Sequence, residues 1–193
     1  MLVYFLTKRN LQNDICVRLT AVQSIDALLP FCESLPEVIQ SITQPLIPAV
    51  YILANQCNDV ENKTACLEMI STLVTYVNVS GGELSDSILN TVAINLPSIW
   101  ENAIDQNVQV KRNVLDILSC VASYVGPNQA YVLHPIALRM IDDSFRYENY
   151  VFLVKDALRL WYVFLQLSTK YHPMIGKLFI HTAKLSEDFE HVM

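Results

Sequence analysis

Apolar residues recur along this chain at intervals of three and four positions, which is the spacing of the buried face of an amphipathic helix. The recurrence predicts helices over 15–29, 60–77, 110–125 and about 149–169. Asp14 and Asp59 precede the first two segments as candidate N-caps, and Pro30 follows the first segment as a stop signal. Because no segment alternates apolar and polar residues as a half-buried strand does, the pattern predicts an all-α fold.

Helical patterns of a second kind lie between these segments, over 35–55, 84–104 and 129–144, and each contains proline. Proline inside a helix removes one backbone hydrogen bond and costs about 3 kcal/mol, so a single case would carry little information. The prolines recur in all three segments, each of which would be the first helix of an antiparallel pair. The recurrence predicts one two-helix unit that is repeated along the chain.

The spacing of basic residues supports this repeat. One basic residue lies near the start of each second helix (Arg18, Lys63, Lys111 and Lys155), and these residues are 45, 48 and 44 positions apart. HEAT and armadillo repeats have periods of about 40–47 residues. Asp14, Asp59 and Asn107 lie four positions before the first three of these residues, a spacing that predicts a cap and an i,i+4 pair at each of those helix starts. We interpret the basic residues as register marks of the repeat.

The predicted fold is therefore an all-α HEAT-repeat solenoid that forms a single array over residues 1–193, with about four and a half repeats. The repeats are predicted at 1–30, 34–78, 84–125, 128–168 and, as a partial unit, 172–193. The first contains the end of a helix at 2–11, and the last contains a helix from Pro173 to about residue 185.

Both ends of this array lack the polar capping unit that a solenoid needs, because each repeat buries its apolar face only against neighbouring repeats. Residues 1–6 are mostly apolar, and the last predicted helix has no partner. We interpret the sequence as an internal segment of a longer solenoid, either a fragment or a truncated gene model.

Composition narrows the functional classes. The chain is 52% hydrophobic and 17% charged, with a net charge of −6, so it lacks the basic stripe that nucleic-acid binding requires. Its longest uncharged stretch, 38–58, contains two prolines and several amides, and this excludes a membrane span there. The five cysteines are scattered without a CxxC motif, as expected for reduced thiols inside a cell.

Catalytic and cofactor motifs are missing from the sequence. It contains no phosphate-binding glycine loop, no HExxH and no GxSxG, and its histidines have no partner at metal-ligand spacing. The adjacent carboxylates Asp142-Asp143 and Glu187-Asp188 are expected to be solvated charges at helix ends, because adjacent residues of a helix do not converge. We therefore predict a protein that is not an enzyme and that uses no cofactor and no metal.

Several stretches resemble one family of helical-repeat proteins. VRLTAV at 17–22 resembles a second helix of the importin-beta (karyopherin-beta) nuclear transport receptors. LPSIW at 96–100, LSC at 118–120 and YVFLVKDALRLW at 150–161 resemble the central region of the importin-eleven branch. The resemblance covers nearly the whole chain, in order.

The resemblance implies a carrier that shuttles between cytoplasm and nucleus. Such a receptor binds protein cargo in the cytoplasm, passes the pore through contacts with nucleoporins, and releases cargo when the GTPase Ran binds in its GTP form. The principal Ran-binding motif of the family lies in N-terminal repeats that this chain does not contain, so the Ran contact is expected elsewhere. The alternative is a HEAT scaffold subunit of a complex unrelated to transport, such as a phosphatase or chromatin-assembly complex.

In a solenoid of this kind, the second helices line the concave side, and their residues outside the core form a ladder across it. We call this set the concave ladder and propose it as the protein-binding surface, although solvated faces of amphipathic helices have the same pattern. Its mixed charge argues against an acidic trap for basic peptides. Trp100 and Trp161 are expected in the core between repeats, and Asp156 is expected to be exposed. The members of the concave ladder are Gln23, Glu61, Glu68, Thr72, Arg112, Asp116, Ser123, Asp156, Arg159 and Gln166.

Overall fold

The computed structural model describes residues 15–32, 34–80, 83–103, 107–125, 127–146 and 151–167, together with residues 176, 179, 180 and 183. The helix predicted at 2–11 and the candidate cap Asp14 lie outside the described residues. Only four separate residues of the region after 167 are described. Within the described part the chain forms α1 (Ile15–Leu28), α2 (Pro36–Gln56), α3 (Val60–Ser80), α4 (Glu83–Asn102), α5 (Val108–Tyr124), α6 (Pro127–Ser144) and α7 (Val151–Leu167).

The all-α prediction is confirmed for the described residues. Each helix begins and ends within a few residues of the bounds that the apolar spacing predicts, and a short 3-10 helix, Leu29–Cys32, follows α1. The internal prolines lie inside continuous helices, with Pro45 and Pro48 in α2, Pro97 in α4 and Pro135 in α6. Tertiary packing therefore offsets the cost of proline in these helices.

Local chemistry accounts for the start of α3. One carboxylate oxygen of Asp59 accepts a hydrogen bond from the backbone N–H of Asn62 at 2.7 Å, and the other accepts from Asn62 Nδ2 at 2.7 Å. The backbone bond is the N-cap interaction that satisfies a free N–H of the first turn. These hydrogen bonds hold the pKa of Asp59 below its ordinary value. The predicted N-cap is thus confirmed at Asp59.

Helix packing gives the solenoid its two rows. α2 packs against α3, α4 against α5, and α6 against α7, so each pair consists of a first helix and a second helix. The second helices α1, α3, α5 and α7 also pack side by side in chain order, and α3, α5 and α7 contact one another more extensively than the first helices α2, α4 and α6 do. The second helices therefore form the more tightly packed of the two rows.

A continuous apolar layer fills the space between the two rows. Trp100 and Trp161 are only 5% and 6% exposed, so the prediction that both are core residues is confirmed. The hydroxyl of Tyr51 in α2 donates to the backbone oxygen of Val92 in α4 at 2.8 Å, and burial raises its pKa. This bond links two repeats through the core. Fully buried side chains of the layer include Leu46, Leu53, Leu67, Ile70, Leu96, Ile99 and Leu115.

One segment of the described chain, Ile15–Cys32, is long and apolar enough to cross a membrane on composition alone. It consists of α1 and the 3-10 helix. Its residues Leu19, Val22 and Ile25 are buried in the core of the array. The apolar face of this segment therefore packs against the solenoid, as core helices of similar composition do.

Candidate functional site

The concave ladder lies on the second helices and, as predicted, outside the core. The structure leaves most of its members exposed and makes three of them, Thr72, Arg112 and Asp156, half-buried. The exposed members are Gln23, Glu61, Glu68, Asp116, Ser123, Arg159 and Gln166.

Four members of the concave ladder converge between α5 and α7. Arg112 Nε of α5 donates to Asp156 Oδ2 of α7 at 2.7 Å. Arg159 Nη1 of α7 lies 3.8 Å from Asp116 Oδ1 of α5, so the two ion pairs join the helices in opposite directions. These four residues, with Asn113 and Ser119, line a depression of about 210 Å³ that we call the α5–α7 pocket.

Helical spacing and the repeat period together build this pocket. Arg112, Asp116 and Ser119 are three or four positions apart, so they share one face of α5. Asp156 and Arg159 share one face of α7 for the same reason. The two ion pairs join residues 44 and 43 positions apart in the sequence, close to one repeat length, so α5 and α7 lie parallel with equivalent turns level.

Arg112 makes two further contacts besides its ion pair with Asp156. Its Nη1 donates to Gln109 Oε1 at 3.2 Å, and its guanidinium lies 5.4 Å from the centroid of the Phe152 ring. The side chains of Arg112 and Asp156 are 33% and 26% exposed. The expectation that Asp156 is exposed is therefore wrong, because α5 covers one side of the carboxylate that α7 presents.

The remaining members of the concave ladder make local contacts instead. Gln166 Nε2 donates to the hydroxyl of Tyr162 at 2.7 Å. Ser123 Oγ donates to the backbone oxygen of Ser119 at 2.8 Å, and Thr72 Oγ1 to that of Glu68 at 3.1 Å. Among the described residues, no hydrogen bond or ion pair joins the candidates of α1 and α3 to the α5–α7 pocket. In the described part of the chain, contacts between ladder members of different helices are those between α5 and α7.

The structure also contains a charged cluster that the sequence analysis missed. Lys111 Nζ lies 3.3 Å from Asp143 Oδ2, and the same oxygen accepts a hydrogen bond from Trp100 Nε1 at 2.9 Å. The ammonium also lies 4.9 Å from the centroid of the Trp100 ring, within cation–π range. The side chain of Lys111 is only 5% exposed. The cluster joins α4, α5 and α6 and borders a cleft of about 450 Å³.

Two sequence-based expectations are corrected by this cluster. Lys111 was expected in an i,i+4 pair within its own helix, and Asp143 was expected to be solvated. Both are wrong, because Lys111 points into the packed side of α5 and meets the last turn of α6. The sequence does contain one indication that Lys111 is buried. It lies three positions before Val114 and seven before Leu118, which places it on the apolar face of α5.

Arg18 makes an equivalent contact in the first repeat. It is buried in α1, and its Nη1 donates to Oε1 of Gln56, the last residue of α2. In both cases a basic residue early in a second helix reaches the C-terminal end of the following first helix, where the helix dipole favours positive charge. The basic residues that mark the repeat in the sequence are, at Arg18 and Lys111, contacts between repeats.

Two thiols and one histidine ring are buried within the described part of the chain. Cys57 and Cys66 are buried, and burial raises the pKa of Cys66 to about 12. Such a thiol is a poor nucleophile at neutral pH because it carries almost no thiolate. The buried ring of His134 packs 5.5 Å from the ring of Tyr131 and 5.1 Å from that of Phe164, measured between centroids.

Within the described ranges, no group of three or more His, Cys, Asp and Glu side chains could hold a metal ion. The chemistry that the α5–α7 pocket offers is recognition of polar groups by arginine, carboxylate and amide side chains. No protein-family model, no curated protein and no solved structure matches this chain.

Proposed function

We propose that this chain is part of a nuclear import receptor of the importin-beta family and binds protein cargo along its second-helix row. In the full-length receptor, Ran in its GTP form would release the cargo. The observation that carries the proposal is the continuous packing of α1, α3, α5 and α7, along which the members of the concave ladder lie outside the core. The sequence resemblance to this family supports the choice of class.

The shape of the surface favours a macromolecular ligand. Small-molecule sites are typically concave and mostly apolar, and they enclose most of the ligand. The α5–α7 pocket is open and polar, and it occupies one position on a row of four helices. Solenoids use extended inner surfaces of this kind to bind other polypeptides.

The same proposal assigns the contacts with Ran, cargo and nucleoporins to different regions of the receptor. The Ran contact belongs to N-terminal repeats outside this chain, and this chain contributes cargo-binding surface. Contacts with nucleoporins would carry the receptor through the pore, so the protein would shuttle between cytoplasm and nucleus. No catalytic step is involved.

A binding experiment with Ran separates the transport receptor from the alternative HEAT scaffold. The protein encoded by the complete reading frame is immobilised and incubated with purified Ran that carries either a non-hydrolysable GTP analogue or GDP. We expect retention of the GTP form only. The 1–193 chain alone serves as a control and should retain neither form.

Cargo release provides the second measurement. Proteins bound from a cytosolic extract should elute when Ran in its GTP form is added, and they should stay bound when Ran-GDP is added. Absence of Ran binding, together with partners that Ran does not displace, would contradict a transport role and favour the scaffold.

A further inference from the structure

We draw no further inference here: the strongest candidate, the groove between the first helices α4 and α6 that Pro97, Trp100 and Pro135 line, carries none because the charged side chains along it pair with one another and nothing in the described part of the chain shows what covers it.

Discussion

The Lys111–Asp143–Trp100 cluster predicts that its two charged members are unequal in their contribution to stability. Asp143→Ala removes the carboxylate from a nearly buried ammonium and also removes the acceptor of the Trp100 indole N–H. Breaking a buried ion pair costs about 3–5 kcal/mol. Because the Asp143 side chain is 28% exposed and water can reach the site, we expect about 3 kcal/mol for this variant.

Lys111→Met should be milder. Asp143 then keeps the hydrogen bond from Trp100 at 2.9 Å and the guanidinium of Arg146 at 3.8 Å. Methionine refills the apolar space beside the indole ring, where sulfur–aromatic contacts are favourable. We therefore expect a loss of about 1 kcal/mol or less, which leaves a difference of about 2 kcal/mol between the two variants.

Equilibrium urea unfolding, followed by far-UV circular dichroism, measures this difference. The control is Glu101→Ala, which breaks the exposed ion pair between Glu101 and Arg139 in the same cleft and should cost less than about 1 kcal/mol. The reasoning would be refuted if Lys111→Met were as destabilising as Asp143→Ala, or if both changed stability by less than about 0.5 kcal/mol.

Three further predictions concern the core, the ion pairs and the cap. Trp161→Ala should cost about 3–5 kcal/mol in urea unfolding, and a smaller loss would contradict its place between repeats. Asp156→Ala should cost about 1 kcal/mol and Asp116→Ala less than about 0.5 kcal/mol, because the Arg112–Asp156 pair is short and partly buried whereas the Arg159–Asp116 pair is long and exposed. Equal losses of stability in the two variants would refute this difference. The Asp59 carboxylate has a lowered pKa, so it stabilises the fold above its ordinary value of 3.8 and stops doing so as pH falls through the folded value. The difference in Tm between the native chain and Asp59→Asn should therefore be constant from about pH 8 to pH 5 and shrink below about pH 4. A Tm difference that persists in strong acid would contradict the role of the charged carboxylate.

Local patterns predicted the helices and the residues that stay outside the core. The apolar spacing over 60–77 corresponds to α3, and that over 110–125 corresponds to α5, each within a few residues. Asp59 was identified as a cap because capping acts within a single turn. The positions of the prolines indicated the first helix of each pair, since those segments otherwise keep a helical pattern.

Contacts between repeats could not be predicted in the same way. Arg112 and Asp156 were both assigned to the concave ladder, but nothing local shows that they form an ion pair. The pairing depends on how far α5 and α7 are shifted along their axes, and one helical turn of shift moves an atom by about 5.4 Å. For Lys111, the direction of the side chain towards α6 depends on the same shift.

The sequence by itself determined the all-α class, the paired helices and the division of each helix into buried and exposed faces, because these properties depend on neighbours within about one helical turn. Only the tertiary structure decided that Lys111 of α5 pairs with Asp143 of α6 and that Arg112 of α5 pairs with Asp156 of α7. Both features combine residues from different repeats, and their energies depend on distances and burial that arise only when the helices pack.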